Sequence, residues 1–476
     1  MRGIIAAGAY VPYNRLQRSK IGQALGSGGG RGTRAVASYD EDTTTMGVAA
    51  GRIALANLSA ATAPNAAINP TAVFFATTEP AYLDKNNATT VHAALDLPAA
   101  TGAYDMAGSA RSAMGAVVAG ANYGWGSALV VLSDTRSGLA GSSDESNAGD
   151  AAAALIFGDD SAGPVIAELI GGAMQSAEFL DRWRTLGNPN AKVWEERFAE
   201  AAYDPVIKAA VADAYATSGV TPDQVDKVIM TGLAARAVRS AAKHVGVAPD
   251  KFIDGMDATV GNTGAAHFGL LLVHALETSG PGEVILVINA ADGCDVMVLR
   301  TTDAISAYRS VRTVATQVEG GNDGLDYAKF LTWKGMLTRE PPRRPDPDRP
   351  GAPPMLRGGK WKYAFHGSKD RSTGHIHLPP QRVSVRGGAV DDMEDVAMAD
   401  VPGTITTFTI DRLAYSMSPP MVAAVVDFDG GGRYPLEMAD MDPSEVKIGM
   451  RVEMTFRRLY TADGIHNYFW KARPVR

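Results

Sequence analysis

The chain has 476 residues, 46% of them hydrophobic and 20% charged, the balance of a globular protein long enough for two or three cores. Its formal charge of −7 and pI near 5.7 give no basic footprint for nucleic acid or an anionic membrane, and no apolar run is long enough for a membrane span. The single cysteine, Cys294, excludes an intrachain disulfide and a cysteine metal cluster, and the cytoplasm is the default location.

The opening "MRGIIAAGAYVPYNR" is too short and interrupted for a signal peptide and reads as a first strand. β-rich apolar runs follow at Ala72–Pro80, Gly126–Asp134, Ala153–Asp160, Val225–Gly232 and Gly282–Ala290. Between them lie alanine-rich stretches with helical spacing, such as "TTMGVAAGRIALANL" and "DPVIKAAVADAYATSG". This alternation predicts an α/β layered fold over residues 1–305. Thr221 followed by Gln224 predicts the start of a helix. Past Tyr308 the composition changes: Arg339–Pro354 holds seven prolines and predicts a stiff, extended connector. Beyond it, "GTITTFTIDRLA", "PMVAAVVDFDGGGRYPLEM" and "GMRVEMTFRRLYTADG" alternate polar and apolar residues at period two, which describes a small antiparallel barrel.

Four stretches of the α/β region, "GIIAAGAYVPYNRL", "ATTEPAY", "GDAAAALIFGD" and "VGNTGAAHFGLLLVHALE", carry a resemblance to the thiolase superfamily. The likeness is to 3-hydroxy-3-methylglutaryl-CoA synthase and the third type of ketoacyl-ACP synthase. It implies an α-β-α-β-α fold of two βαβ-type halves, 1–165 and 166–305, and a homodimer. It puts Glu79 at the family's general-acid glutamate and Asn262 at its asparagine. Two places depart from the family. In "AYDMAGSARSAMGAVVAGA" Ala110 stands where the family has its acylated cysteine, and in "VIMTGLAARAVRSAAKHVG" Thr231 stands at its histidine. Ser109 and Ser112 lie nearby, but a serine without an adjacent base is a poor nucleophile.

The C-terminal stretch "GSKDRSTGHIHLPPQRVSVRGGAVDDME" and the barrel pattern after it resemble the OB-fold domain with a rubredoxin-like zinc ribbon that accompanies thiolases. This divides the remainder into a helical lead-in and linker (306–358), a degenerate ribbon hairpin (359–392) and an OB-fold barrel (393–476). The four cysteine positions of the ribbon are Asp370, Thr373, Ser384 and Gly387, so zinc is not expected there. His366, His375 and His377 with Asp370 are the replacement set to test, since "HIH" on a strand points two rings to one face.

The resemblance implies a CoA thioester as substrate and no covalently bound cofactor. Losing the cysteine ends ping-pong acyl transfer, but an aldol or retro-aldol step needs only a base and a donor for the thioester enolate. Glu79, expected in a mostly apolar pocket with a raised pKa, is the first proton-transfer candidate. His267 is the second, Asn262 the donor to the thioester oxygen, and Tyr82 a phenol donor beside Glu79. The alternatives are a non-catalytic CoA-binding or scaffolding subunit of a separate thiolase, and a hydroxymethylglutaryl-CoA synthase-like acyltransferase.

Overall fold

The structure, a computed structural model, describes residues 2–62 and 69–476. Two units cluster separately: Met1–Ala37, Asp42–Thr89 and Pro98–Phe330 make the first, and Ser38–Glu41, Thr90–Leu97 and Leu331–Arg476 the second.

In the first unit the apolar runs become strands. They are Arg2–Tyr10 (β1), Ala72–Thr77 (β2), Gly102–Ala107 (β3), Ala128–Asp134 (β4), Ala151–Asp159 (β5), Ala167–Ser176 (β6), Lys227–Gly232 (β7), Val284–Ala290 (β8) and Gly293–Thr301 (β9). The central ones, such as β2, β4, β5 and β8, are buried along nearly their whole length. The edge strand β3 is the most exposed of the nine. One nine-stranded sheet results, in the order β7-β8-β9-β6-β1-β5-β4-β2-β3. It contains a repeat that no sequence similarity announces. The first half runs β3-β2-β4-β5-β1, with β2 parallel to β3 and β4, and β5 antiparallel to both neighbours. The second half runs β7-β8-β9-β6 with matching senses, and its missing outer strand is reduced to a parallel bridge between Val228 and Phe252. The halves meet where β1 pairs antiparallel with β6 through Gly3–Glu168 and Ile4–Ala167.

Helices Thr43–Ala61 (α1), Ser112–Ala121 (α2), Glu196–Ser218 (α3) and His267–Glu277 (α4) cover the sheet. α1 starts at a capping box: the Thr45 N–H donates to Asp42 Oδ1 and the Asp42 N–H to Thr45 Oγ1, both at 2.9 Å. α1 and α4 are apolar on almost every face, which is the pattern of a helix enclosed by protein. Gly8 permits this closeness, since a Cβ there would sit 2.5 Å from the Ala54 nitrogen. The start predicted at Thr221 is a single 3-10 turn, Pro222–Gln224, closed by the predicted box, with the Thr221 N–H donating to Gln224 at 2.9 Å.

Two buried groups at either end of α4 titrate in opposite senses. Burial pushes the His267 imidazole down to about 4, and burial pushes the Glu277 carboxyl up to about 7. The folded state therefore refuses a proton at His267 that the unfolded chain takes below about pH 6.5, and holds one at Glu277 that the unfolded chain releases above about pH 4.5. His267 favours folding above pH 6.5 and loses that contribution as pH falls; Glu277 favours it below pH 4.5 and loses it as pH rises. Urea titrations from pH 4.5 to 7 are expected to show Glu277→Gln gaining about 2 kcal/mol on the parent as pH rises, and His267→Gln losing on the parent over the same interval. Parallel curves contradict the assignment.

The second unit contains a three-stranded ribbon, His366–Asp370 (β10), Ile376–His377 (β11) and Met393–Ala397 (β12), in the order β11-β10-β12. A five-stranded antiparallel sheet follows, Gly403–Asp411 (β13), Met421–Phe428 (β14), Arg433–Glu437 (β15), Arg451–Ala462 (β16) and Ile465–Pro474 (β17), in the order β15-β14-β13-β16-β17. A bridge from Met438 to Ala472 brings its two ends together. β14 alternates strictly between half-buried and buried residues, the period-two pattern of its sequence. Trp361, Phe365, Phe428, Phe456 and Trp470 pack one another within this unit, with Trp361 and Phe365 stacked at 4.9 Å. The proline tract has no regular structure until Ala352–Arg357, a short helix with Pro353 and Pro354 in its first turn, where their missing N–H groups cost nothing.

Candidate functional site

The corner between β3 and α2 holds Ala110, buried, in the turn before Ser112. This corner is pinned to the second half. The Arg111 guanidinium donates to both oxygens of Asp295 at 2.8 and 3.0 Å, to Ser176 at 2.8 Å and to the Asp292 carbonyl at 2.7 Å. Ser109 Oγ donates to the Asp292 carboxylate at 2.7 Å and accepts from the Arg111 N–H at 3.0 Å, so the hydroxyl ties the turn to the second half. Cys294, on β9, is fully buried; burial and then the adjacent Asp295 push its thiol up to about 12. A thiol so held is not a nucleophile at neutral pH.

At the end of β7, Thr231 Oγ1 donates to the Asn289 side chain at 3.0 Å. This is a neutral hydroxyl–amide pair, and it offers no proton acceptor of imidazole strength. Asn262 is close by: its Nδ2 donates to the Gly232 carbonyl at 2.9 Å and its Oδ1 accepts from the Gly264 N–H at 2.9 Å. The backbone of this loop pairs with residues 147–149, where the Gly149 N–H donates to the Asn262 carbonyl at 2.9 Å. Only glycine fits at 149, because a Cβ would lie 2.0 Å from the Val260 oxygen.

Asp134, at the end of β4, went unnoticed in the sequence and joins two of the predicted elements. Its carboxylate accepts from Thr78 Oγ1 at 2.8 Å, from the Thr78 N–H at 3.3 Å and from the Ala265 N–H at 3.0 Å. The Glu79 loop and the Asn262 loop are thereby tied to one buried carboxyl, whose pKa burial raises. Glu79 does not lie in the apolar pocket expected for it. Its side chain is 46% exposed and paired with Arg184 Nη1, while Arg184 Nη2 donates to the Thr78 carbonyl at 2.6 Å. Tyr82 belongs to the same loop, which Asn87 holds by accepting from the Tyr82 N–H at 3.0 Å and donating to its carbonyl at 2.9 Å. His267 is 4% exposed, and its Nδ1 lies 3.4 Å from both the nitrogen and Oγ1 of Thr263. With its pKa near 4 it is a packed histidine, not the neutral-pH acid–base group expected.

Asn262 also borders a cavity of about 250 Å³ within this unit, lined on one side by Leu233–Ala235 and on the other by Arg18, Arg136 and Asp144. A short hairpin, Arg182–Trp183 paired with Lys192–Val193, contributes Arg182, Val193 and Trp194 to its wall. Two ion pairs hold this hairpin: Arg182 grips both oxygens of Asp144 at 2.5 and 2.6 Å, and Arg184 meets Glu79. Asn262 thus stands in the wall of the cavity, whereas neither Glu79 nor Arg184 is among its lining residues; Asp134 is what ties the Glu79 loop to the Asn262 loop.

In the second unit the two turns that carry the predicted ligand positions face each other: a Cβ on Gly387 would sit 3.2 Å from Thr373 Cγ2. The Asp370 Oδ1 accepts from the Ser372 N–H at 2.8 Å and the Thr373 N–H at 3.2 Å, and Ser384 Oγ donates to the Arg386 carbonyl at 2.6 Å. These positions serve turns. The His375 and His377 rings do share a face, 4.7 Å apart. Both His377 nitrogens are engaged by backbone, however, Nε2 accepting from the Val385 N–H at 3.1 Å and Nδ1 lying 3.3 Å from the Ser368 carbonyl. His366 Nε2 is 2.6 Å from Asp96. Among the described residues no group of three or more His, Cys, Asp or Glu side chains is placed to hold a metal ion.

Comparison with known proteins agrees with this architecture. The 3-oxoacyl-(acyl-carrier-protein) synthase III C-terminal family matches residues 215–300, and the ChsH2 C-terminal OB-fold domain family matches residues 395–457. The hydroxymethylglutaryl-CoA synthase of Aeropyrum pernix is 29% identical over 354 residues, covering 70% of this chain and 94% of the relative. That of Pyrococcus horikoshii is 28% identical over 347 residues, covering 69% and 94%. Among solved structures, an HMG-CoA synthase complexed with CoA superposes with a TM-score of 0.58 at 17% identity, over 70% of this chain and 89% of that one. The 3-oxoacyl-(acyl carrier protein) synthase III of Pseudomonas aeruginosa gives 0.54 at 18%, over 63% and 98%. No helix among the described residues is long and apolar enough to cross a membrane. The chain is similar to hydroxymethylglutaryl-CoA synthases, shares its fold with them and with 3-oxoacyl-(acyl carrier protein) synthases III, and matches the ChsH2 C-terminal OB-fold domain family over residues 395–457.

Proposed function

We propose that this protein binds acyl-CoA and cleaves or forms a carbon–carbon bond of the thioester without a covalent acyl-enzyme. The observation that carries the reading is the absence of an attacking thiol. The resemblance puts Ala110 where the family has its nucleophile, and the chain's one cysteine is buried, which pushes its thiol up to about 12. In the retro-aldol direction the β-hydroxyl gives up its proton and the Cα–Cβ bond breaks. Its electron pair passes to the α-carbon as a thioester enolate, and reprotonation there leaves a shortened acyl-CoA beside an aldehyde or ketone. Glu79 would take the hydroxyl proton, and Asn262 would donate to the enolate oxygen. That both loops hang from Asp134 supports their acting on one substrate. Incubation with a panel of β-hydroxyacyl-CoA thioesters, monitored for carbonyl release, tests this: release is expected, and its absence across the panel contradicts it.

One observation favours a second reading, a CoA-binding scaffold for a separate thiolase. The Asn262 amide is already bound to the Gly232 carbonyl and Glu79 to Arg184, so the two groups are satisfied without substrate. Retained CoA binding with no turnover on any thioester would select it.

A further inference from the structure

The retro-aldol course described above leaves one step without a donor, the return of a proton to the α-carbon. Three carboxyls line the cavity of about 250 Å³ beside Asn262: Asp144, Asp257 and Asp181. Asp144 receives Arg182 on both oxygens at 2.5 and 2.6 Å and faces Arg136 at 3.7 Å. Burial alone would raise its carboxyl, but Arg182 and Arg136 outweigh burial and hold it low. Asp257 stands against Arg18, whose guanidinium donates to the Asp257 carbonyl and feels its carboxylate charge. Arg239 is the remaining charged group of the lining. Asp181 differs from the other two acids. It is 9% exposed, and its hydrogen-bond partner is a phenol instead of a cation, that of Tyr203, itself 6% exposed. Burial raises the Asp181 carboxyl; the Tyr203 hydrogen bond opposes that and is outweighed, and the charge of Asp292 adds to the rise against the pull of Arg182. Two carboxyls of one cavity pushed in opposite directions put an anion and an acid side by side.

Backbone and side-chain bonds fix where Asp181 stands. Its N–H donates to the Phe179 carbonyl at 3.0 Å, and its carbonyl accepts from the Trp194 N–H at 2.8 Å, at the base of the short hairpin. Tyr203 Oη accepts from the Asp292 N–H at 3.2 Å, and the Asp292 carboxylate accepts from Ser109 at 2.7 Å, in the corner that holds Ala110. Arg184, the partner of Glu79, follows Asp181 by three residues, about 10 Å of extended chain at most. Asp181 thereby joins the Asn262 wall, the Ala110 corner and the Glu79 loop.

We propose that Asp181 is the acid of this site and protonates the α-carbon of the thioester enolate whose oxygen Asn262 holds. The inference rests on the retro-aldol reading above. The carboxyl O–H bond breaks as a C–H bond forms at the α-carbon, the enolate double bond provides the electron pair, and the thioester carbonyl re-forms. The Asp181 carboxylate then takes a proton from water, and half-exposed Glu79 returns the hydroxyl proton to water, so the cycle consumes none. Burial, with the adjacent Asp181 charge, keeps Tyr203 a phenol, and it serves as the positioning residue for the acid.

Turnover of 3-hydroxy-2-methylbutyryl-CoA by the full chain in deuterium oxide tests this, because cleavage leaves propionyl-CoA with one deuterium at its α-carbon. The parent is expected to place that deuterium in a single configuration. Asp181→Asn, which keeps the size of the side chain and its reach to Tyr203, is expected to lower kcat by about 10²-fold or more at unchanged KM and to scatter the label over both configurations. A lower rate with the configuration intact assigns Asp181 a structural role and overturns the proposal. A variant that matches the parent in rate and configuration overturns it too, and leaves the retro-aldol reading standing. So does a parent that scatters the label, whether or not the variant folds. If only thioesters without the α-methyl group are cleaved, the fall in kcat decides alone. Carbonyl release from no β-hydroxyacyl-CoA removes the reading and the acid together.

Discussion

Glu79→Gln is expected to lower kcat/KM for carbonyl release from a β-hydroxyacyl-CoA by about 10²–10⁴-fold, with CoA affinity unchanged. The substitution keeps the size and hydrogen-bonding reach of the side chain and removes only its capacity to take a proton. The fold should not register it, because Glu79 is half-exposed at the end of β2 and its main-chain bonds remain: its N–H to Thr77 Oγ1 at 3.0 Å, and its carbonyl from Thr43 Oγ1 at 2.7 Å. The Arg184 ion pair is lost with the charge, and a partly exposed pair of this kind contributes about 1 kcal/mol or less. A fall in rate without a fall in melting temperature or CoA affinity supports proton transfer by Glu79. A variant as active as the parent moves the base elsewhere.

Arg457→Met is expected to destabilise the C-terminal unit by about 3–5 kcal/mol, read by urea denaturation through tryptophan fluorescence. Arg457 is 1% exposed and faces Asp40 at 3.3 Å, Glu41 at 2.9 Å and Asp440. Lys471, fully buried, joins the same cluster through Asp40 at 3.0 Å and Glu437 at 2.7 Å. Burial alone would raise the Asp40 carboxyl, but Lys471 and Arg457 outweigh it and hold it down to about 2. Removing Arg457 leaves four carboxylates, Asp40, Glu41, Asp440 and Glu437, of which Lys471 pairs only with Asp40 and Glu437, and an uncompensated buried charge costs far more than the intact pair contributes. Because Asp40 is held below its unfolded value, its stabilisation is present above about pH 4 and is lost as pH falls toward 2. A loss under about 1 kcal/mol would mean that water reaches the cluster.

The strands and the C-terminal antiparallel sheet were legible because each rests on a local signal: apolar runs for the one, period-two alternation for the other. The sequence marks Ala110 and Thr231 as departures inside stretches that resemble the family, and the structure places both in the first unit, Ala110 buried in the turn before α2 and Thr231 at the end of β7. The site's electrostatics were not legible. Arg184 meets Glu79 from 105 residues away, and Asp134 ends a strand as any polar residue might. The hairpin that carries Arg182 pairs only two residues per strand, too few for periodicity to mark. The burial of His267 did leave a trace. "HFGLLLVHALE" is apolar nearly all round, and a histidine on such a helix is enclosed, which sets it apart from one on an amphipathic helix.

The central claim is that chemistry proceeds here with no acyl-enzyme, and the Cys294→Ala variant tests it most directly. Carbonyl release from a β-hydroxyacyl-CoA by this variant should equal that of the parent, and intact-protein mass spectrometry during turnover should show neither protein gaining the mass of an acyl group. An acyl adduct on the parent, or activity that disappears with the thiol, would contradict the account.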